Sequence, residues 1–318
     1  MPATSHNDYH VDTLLTNMLI GYRPMGFVGQ DIFPVLPVMK ESDLIAQIQR
    51  GDWFRVDDTL RAPATRPKEG TWTVSSQRYS CVNYAFATKV PYETLDNTDA
   101  PHDVRARAGE FVTDKLTLDH EVRVVNRVVA GVGSTTTLTG VNAWSDYANS
   151  QPLDDVDVAK EAIRSTTGMA PNVCVIAHKT WLKLRRHPDV IRAIYPGAGV
   201  GGTASPEQFA NLIGVGRVLL PMAIRNTGAE GAADAYSDVW SSYFVLAHVA
   251  NPGLMVATFG TTFRWTGQNI GGGGPGAFQV ERRRDDDLKC EWVRAGYYQD
   301  EKIIAPELGF MILTGITS

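Results

Sequence analysis

The sequence predicts an α+β protein arranged around one long helix, and three features of the chain support this. A helical pattern runs from Pro101 to Gly131, alternating apolar and polar residues fill a segment from 44 to 90, and short helices and strands follow Pro152. A helix of about 29 residues is roughly 44 Å long, more than twice the average in globular proteins. It is either the surface helix of an ordinary α/β enzyme or a spine along which thin, extended segments lie.

Apolar residues recur along this helix at spacings of three and four, which places them in one stripe. The stripe consists of Val104, Ala108, Phe111, Leu118, Val122, Val125 and Val129. Pro101 stands where a helix begins and Gly131 where one ends. We therefore expect this stripe to be the face that packs on the rest of the chain.

Composition excludes several classes of protein. The chain has 318 residues and a net charge of −5, and a dedicated nucleic-acid-binding protein is usually basic. Its three cysteines, Cys81, Cys174 and Cys290, lie far apart, so they predict buried thiols in a reducing compartment and no disulfide framework or metal site. No apolar run approaches the ~18 residues of a membrane span.

Residues 1–42 are predicted to form an N-terminal arm. Three prolines between residues 24 and 37 forbid a helix there and disfavour a central strand. The arm carries the large apolar residues Phe27, Phe33 and Leu36. Because an extended arm cannot bury them against itself, it must lie along its own subunit or a neighbouring one.

Residues 43–92 are predicted to form a long β-hairpin, with strands over 44–56 and 72–90. Its tip contains the charged residues Arg61, Arg66, Lys68 and Glu69 and two prolines. An isolated two-stranded ribbon is marginally stable in water. The hairpin therefore either folds back on its own domain or reaches over an adjacent copy of the chain.

The second half of the chain is predicted to be a mixed α/β body. Helices are expected over 153–167, over 180–194 with an interruption at Pro188, and over 206–213 with Ser205 as the N-cap. Strands are expected over 172–177, 215–221, 239–249, 254–265, 278–284 and 310–313, and segment 289–302 belongs to the same body.

The search for catalytic, cofactor or metal sites predicts none. His120-Glu121 begins like a zinc-protease motif, but Val124 stands where the second histidine is required. The glycine-rich segments 197–202 and 271–276 lack the strand, helix and Lys-Ser/Thr signals of a phosphate loop. We predict flexible loops at both.

One charged run is unusual: three arginines directly precede three aspartates. The run consists of Arg282, Arg283, Arg284, Asp285, Asp286 and Asp287. It forms either a solvated turn between two strands or a self-complementary contact with the same run on a neighbouring copy.

The order of these parts resembles the major capsid protein of tailed double-stranded DNA phages, with the Hong Kong 97-like fold. The resemblance covers nearly the whole chain. It rests on the sequences Gly26-Phe27-Val28, Asp31-Ile32-Phe33-Pro34 with Val35 to Val38, Leu212-Ile213-Gly214-Val215, Arg217-Val218-Leu219 and Asn226, and on the arm, loop, helix and body following in that order.

This resemblance implies a non-enzymatic shell subunit with five regions. They are an N-terminal arm (1–42), an extended loop (43–92), a spine helix with the first part of a peripheral domain (93–180), an axial domain (about 181–285) and C-terminal strands that return to the peripheral domain (286–318). It implies self-assembly into hexamers and pentamers of an icosahedral head around double-stranded DNA, located in the virion and assembled in the host bacterial cytoplasm, with no membrane partner.

The expected contacts between subunits are Phe27, Phe33, Leu36, Arg61, Arg66, Lys68, Glu69 and the run Arg282 to Asp287. No long charged helix precedes the arm, so we expect a separate scaffolding protein in addition to a portal; a decoration protein stays open. Lys68 gives no reason to predict the covalent cross-link of some relatives. Two alternatives remain: an encapsulin-type cellular shell protein, and an α/β enzyme with a substrate loop at 197–204 or 270–276.

Overall fold

Two β-sheets joined by one long helix form the core of the fold. The computed structural model describes residues 10–11, 26–48, 50–97, 103–197, 202–251, 253, 256–267 and 279–316. A six-stranded and a five-stranded sheet are accompanied by two small two-stranded ones. The α+β class predicted from the sequence is confirmed.

The helices, labelled in chain order, are α1 (Gly29–Ile32), α2 (Arg50–Trp53), α3 (Tyr92–Asp96), α4 (Val104–Gly131), α5 (Pro152–Thr167), α6 (His178–Leu184), α7 (Pro188–Ile194) and α8 (Pro206–Ile213). The strands are β1 (His10–Val11), β2 (Val35–Val38), β3 (Ser42–Ile48), β4 (Val74–Ser80), β5 (Val82–Pro91), β6 (Ser134–Thr137), β7 (Val173–Ile176), β8 (Arg217–Leu219), β9 (Ile224–Asn226), β10 (Tyr236–Asp238), β11 (Tyr243–Ala247), β12 (Gly260–Trp265), β13 (Gln279–Asp285), β14 (Cys290–Ile303) and β15 (Gly309–Leu313).

The predicted long helix is confirmed as α4, which we call the spine helix. Its 28 residues begin after Asp103, whose carboxylate accepts hydrogen bonds from the backbone N–H groups of Arg105 and Ala106. An acidic N-cap satisfies two of the four N–H groups that a helix start leaves unpaired.

The predicted stripe is nearly one residue out of register with the buried face. The buried residues are Gly109, Val112, Thr113, Leu116, His120, Glu121, Val124, Val125 and Val128. Only Val125 belongs to both sets, and Phe111 and Val129 are exposed by 48% and 40%. The prediction counted apolar residues alone, whereas two charged-type residues, His120 and Glu121, occupy the buried face.

The five-stranded sheet, in the order β6-β15-β11-β7-β8, is covered on both faces. Alternate residues of a strand point to opposite faces. Cys174 and Ile176 pack with helices α5 to α8, whereas Val173 and Val175 pack with the spine helix and the base of the arm. Burial on both faces explains the nearly continuous apolar strands of the body.

The six-stranded sheet carries the extended hairpin. Strand β5 pairs antiparallel with β14 from Val82 opposite Gln299 to Pro91 opposite Cys290. Strands β3 and β4 form a separate antiparallel ribbon, whose base is held by Ile45, Tyr79 and Phe263 in an apolar cluster. Among the described side chains of the ribbon, the buried ones, Ile45 and Tyr79, thus lie at this end.

Several predicted boundaries are wrong in this hairpin. The outgoing strand, expected over 44–56, ends at Ile48 because a short helix, α2, follows it. The returning strand, expected over 72–90, begins at Val74 and is divided at Cys81, which leaves the ribbon and enters the sheet. The predicted helices and strands of the body are present, and most of their ends shift by one or two residues. Two strands are shorter than predicted: the one expected over 239–249 covers Tyr243–Ala247, and the one expected over 254–265 begins only at Gly260.

The arm lies along its own subunit over 26–38. Strand β2 pairs parallel with β12 at the edge of the six-stranded sheet. Pro37 fits there because an edge strand has one side without ladder bonds. The amphipathic segment predicted from Val11 to Tyr22 lies, apart from Val11 in β1, outside the described residues.

Candidate functional site

The tip of the ribbon is the largest exposed segment of the described chain. Residues 54–73 contain neither helix nor strand, and each of them is exposed. The predicted contact residues Arg61, Arg66, Lys68 and Glu69 all lie here. Lys68 Nζ is 2.8 Å from a carboxylate oxygen of Asp58, and such an exposed pair adds little stability.

Large apolar side chains are also exposed in this tip. Phe54 and Trp72 are exposed by 62%, Leu60 by 85% and Val56 by 95%. Single exposed apolar residues are common on proteins, but a cluster of them indicates an interaction surface. The tip therefore has the composition of a surface that another molecule covers.

The predicted arm contacts are buried within the subunit itself. Phe33 has no exposed surface, and its ring lies edge-on to Phe259, with centroids 5.8 Å apart. It also closes over Gly260, where an added Cβ would lie 2.3 Å from the ring. Phe27 and Leu36 are partly buried on two apolar clusters of the same chain. Of the two predicted locations, the subunit's own surface is the one observed.

The charged run lies at the end of β13 and in its turn to β14. Here Arg282 pairs with Glu291 at 3.3 Å and Arg284 with Asp286 at 3.0 Å. The Asp285 carboxylate accepts hydrogen bonds from Leu288 N and Trp292 Nε1. These partners are all within the chain, so the structure shows a turn with its own ion pairs; a contact with a second copy stays a prediction.

A buried carboxylate joins three parts of the subunit. Glu121, on the spine helix, is 1% exposed. Its Oε2 accepts a hydrogen bond from Gly29 N at 2.6 Å, and its Oε1 accepts one from Trp240 Nε1 at 2.6 Å. Val28 N lies 3.1 and 3.2 Å from the two oxygens. The arm and the body are therefore both tied to the middle of the helix.

Burial raises the pKa of Glu121, while the N–H groups of Trp240, Val28 and Gly29 oppose that shift. Buried carboxylates are costly unless hydrogen bonds satisfy them, and here three N–H donors do so. We call this arrangement the arm clamp: Glu121, Trp240, Val28 and Gly29.

A second polar cluster lies beside the arm clamp, where the spine helix meets β14. Glu301 is 2% exposed and accepts hydrogen bonds from Arg123 Nη2 at 3.0 Å and Gln299 Nε2 at 2.7 Å. The Arg123 guanidinium stacks on the Tyr84 ring at 3.6 Å. His120 Nε2 is 3.7 Å from Glu301, and burial lowers the pKa of His120 to about 4. The cluster fixes the helix to the sheet by charge as well as by apolar packing.

One serine–histidine pair has the spacing of a catalytic nucleophile and its general base. The hydrogen bonds around the pair, however, place a proton on the histidine nitrogen that faces the serine. Ser150 Oγ lies 2.9 Å from His187 Nε2. His187 Nδ1 accepts a hydrogen bond from Asp189 N, so the neutral ring carries its proton on Nε2. The Ser150 hydroxyl donates to the carbonyl of Asp146. The histidine thus cannot accept the serine proton.

The described residues also bear on what the sequence indicates about metal sites, glycine-rich loops and membrane spans. Within the described ranges, no group of three or more His, Cys, Asp or Glu side chains is placed to hold a metal ion. The predicted loop 271–276 and residues 198–201 of the loop 197–202 lie outside the described residues. No helix in the part of the chain that the structure describes is long and apolar enough to span a membrane.

Sequence reasoning missed the arm clamp. The sequence pattern places Glu121 in an incomplete zinc-protease motif and among the charged residues outside the apolar stripe, and it places Trp240 within the strand expected over 239–249. The available signal was the position of Glu121, four residues before Val125, which places both on the same side of the helix.

Two curated relatives match the chain over nearly its whole length. The chain is 25% identical to the major capsid protein of Pseudomonas phage JBD67, covering 99% of this chain and 100% of the relative. It is 24% identical to the major capsid protein of Burkholderia phage BcepMu, covering 95% of each chain. No family model matches the sequence.

Solved structures share the fold. A phage-related protein from Bordetella bronchiseptica RB50 matches with a TM-score of 0.72 and 25% identity, covering 96% of this chain and 97% of the other. The capsid of cyanophage P-SCSP1u matches with a TM-score of 0.62 and 10% identity, covering 92% and 89%. The encapsulin SrpI of Synechococcus elongatus has a TM-score of 0.57 and 12% identity, covering 89% and 85%, which shows a common fold alone. The chain is thus similar over nearly its full length to two phage major capsid proteins and shares the fold of phage capsid subunits, which is consistent with the predicted Hong Kong 97-like fold.

Proposed function

We propose that this capsid protein closes an icosahedral head shell around double-stranded DNA by forming hexamers and pentamers. The observation that carries the proposal is the exposed tip at 54–73, which combines uncovered apolar residues with charges. In a closed shell every subunit has neighbours on several sides, and a neighbour provides the surface that this segment lacks. Many weak contacts together are sufficient, because each subunit makes several of them at once.

The proposal gives roles to the predicted regions and residues. The arm (1–42), the extended loop (43–92) and the region 93–180 with the spine helix combine with the strands of 286–318, and an axial domain of about 181–285 surrounds the symmetry axes. Arg61, Arg66, Lys68 and Glu69 contact a neighbouring subunit, and the run Arg282 to Asp287 pairs between copies. Phe27, Phe33 and Leu36 act indirectly, since they hold the arm on its own subunit.

The proposed partners are further copies of the chain, a separate scaffolding protein and a portal, with assembly in the host bacterial cytoplasm. DNA inside the shell is bound without sequence preference. The net charge of −5 fits a wall that does not bind tightly to phosphate, because tight binding of DNA requires many Lys and Arg contacts.

The first experiment is expression of the chain with and without a scaffolding protein, followed by sedimentation and electron microscopy. We expect closed particles tens of nanometres wide. The double variant Arg61→Glu/Arg66→Glu is expected to lower the particle yield at least tenfold while the subunit stays folded. The control Arg61→Lys/Arg66→Lys keeps the charges and is expected to assemble.

The result also separates the alternatives. Only small soluble oligomers of the wild-type chain, even when the scaffolding protein is co-expressed, would contradict the shell and favour the α/β enzyme. Particles from infected cells that contain an enzyme cargo and no nucleic acid would favour an encapsulin-type shell. Uniform closed shells from the chain alone would contradict the separate scaffolding protein.

A further inference from the structure

The arm clamp is unusual because the arm is held through its backbone by a side chain of the spine helix. Val28 and Gly29 donate successive N–H groups to Glu121, and successive N–H groups are well suited to binding an anion. The carboxylate is held from the other side by Trp240 of the body. The arm segment thus occupies a site that the helix and the body form together.

The fit at this site requires glycine at position 29. A Cβ added to Gly29 would lie 2.7 Å from Glu121 Oε2 and 3.3 Å from His120 Nδ1. The backbone of Gly29 belongs to helix α1, outside the left-handed region, so alanine is acceptable for its backbone. Glycine is therefore needed for the close approach to Glu121, and not for an unusual chain conformation.

Further hydrogen bonds from the body bind the residues of the arm base on either side of the clamp. Arg217 Nη2 donates to the carbonyl of Asp31 at 2.9 Å, and its Nη1 is 3.3 Å from the Asp31 carboxylate. Met222 N donates to the carbonyl of Gly26 at 3.0 Å. These contacts come from the body, so they and the clamp together fix the arm base from residue 26 to residue 31 on its own subunit.

From this geometry we infer that Glu121 is a positioning residue for shell assembly: its carboxylate holds the arm base at 28–29 on the body, and uniform shells form only when the arm base is held there. The inference rests on the proposed shell function. It predicts that breaking the clamp releases the arm base while the helix, the sheets and their cores stay folded. Subunits with a released arm then assemble poorly or into particles of irregular size.

The direct test is hydrogen exchange of the full-length chain with the variants Glu121→Ala and Gly29→Ala. We expect exchange of the amides at 28–33 to become at least tenfold faster in both variants, with amides of β7 and β11 unchanged. Glu110→Ala, on the same helix and outside the clamp, is the matched control and is expected to exchange like wild type.

The double variant Gly29→Ala/Glu121→Ala shows whether the two residues act through each other. Removing the carboxylate makes room for the new methyl group, so Gly29→Ala is expected to have less than a twofold further effect in that background. Equal effects of Gly29→Ala with and without Glu121 would overturn the inference, and so would full protection of 28–33 in Glu121→Ala.

Assembly is the second readout, and it separates this inference from the proposed function. With the scaffolding protein co-expressed, we expect wild type and Glu110→Ala to form uniform particles, and Glu121→Ala to give at least tenfold fewer or a broad range of diameters. Val156→Ala, a core change in the apolar cluster on the other face of the five-stranded sheet, serves as a stability control and is expected to assemble. Uniform wild-type-like shells of Glu121→Ala would overturn the positioning role, whereas failure of wild type itself to form shells would contradict the proposed function alone.

Discussion

At the scale of single residues, burial of His120 makes the stability of the fold depend on pH. This histidine is almost fully buried beside Glu301 and Arg264, and its pKa is lowered to about 4 by burial, from an ordinary value near 6.5. A histidine that is neutral in the folded state binds a proton more readily when the chain unfolds. The stabilisation of the folded state that comes from neutral His120 is therefore fully present above pH 6.5, and it is lost as the pH falls toward 4.

The lowered pKa of His120 predicts how the stability of the subunit depends on pH. The free energy of unfolding of the subunit should fall by about 3 kcal/mol between pH 6.5 and pH 4 on account of His120, at 1.36 kcal/mol per pKa unit. Urea unfolding followed at a series of pH values measures the change. The variant His120→Leu should lose that much less stability over the same interval; identical pH slopes for the two proteins would show that His120 is not responsible.

A second residue-scale prediction concerns Phe33, which is completely buried. The variant Phe33→Ala should lower the free energy of unfolding by about 3–5 kcal/mol, because it leaves a cavity between Phe259 and Gly260. Chemical denaturation measures this loss. Phe111→Ala on the spine helix is the control: Phe111 is 48% exposed, so its loss should be much smaller. Similar losses for both would contradict the observed burial.

At the scale of elements, the spine helix and the ribbon differ in how far they are supported. The helix packs along both sheets, with Val112 and Leu116 in one core cluster and Val124 and Val128 in another. In the part of the ribbon whose side chains are described, the buried residues are Ile45 and Tyr79, at its base. Local stability follows such contacts, so we expect the helix to be among the last elements to open and the tip among the first.

The start of the spine helix gives an element-scale prediction. Asp103→Ala removes the acceptor for the N–H groups of Arg105 and Ala106. The free energy of unfolding should fall by about 1 kcal/mol, as for other N-cap losses. Thermal unfolding measures the change, and Asp103→Ser, which keeps a capping oxygen, should recover most of it. A loss that serine does not recover would argue against capping as the cause.

At the scale of the whole molecule, the subunit combines a well-packed body with a segment that contributes almost nothing to its own core. Every residue of 54–73 is exposed. Where this tip joins the ribbon, Thr73 N donates a hydrogen bond to the Asp52 carboxylate at 2.9 Å. A free subunit leaves the apolar tip in water, and assembly covers it. Stability of the subunit and its ability to assemble should therefore respond to different changes.

Deleting residues 57–69 and closing the gap with glycine and serine tests this separation. The free energy of unfolding should change by less than about 1 kcal/mol, because the deleted residues are exposed. Particle yield, measured by sedimentation, should fall by at least tenfold. Deletion variants that assemble normally would show that the tip is not a contact between subunits.

Local patterns in the sequence predict many of the elements. The long helix, helix α5, the break at Pro188 and the capping of α8 by Ser205 all depend on residues close together in sequence. Helical spacing, prolines and N-caps act over one or two turns, so a single sequence contains them. Once these elements are located, their order along the chain (arm, loop, helix and body) is enough to show the resemblance to capsid proteins.

Only the tertiary structure decided which face of the spine helix is buried, where the arm lies and how Glu121 is used. Glu121 finds its donors at Gly29 and Trp240, which are 92 and 119 residues away in the chain. Short-range spacing contains no information about such partners, and a charged residue on an apolar face is favourable only when those partners are present. The sequence by itself therefore determined the elements and their order, while the long-range hydrogen bonds of buried polar groups determined how the elements fit together.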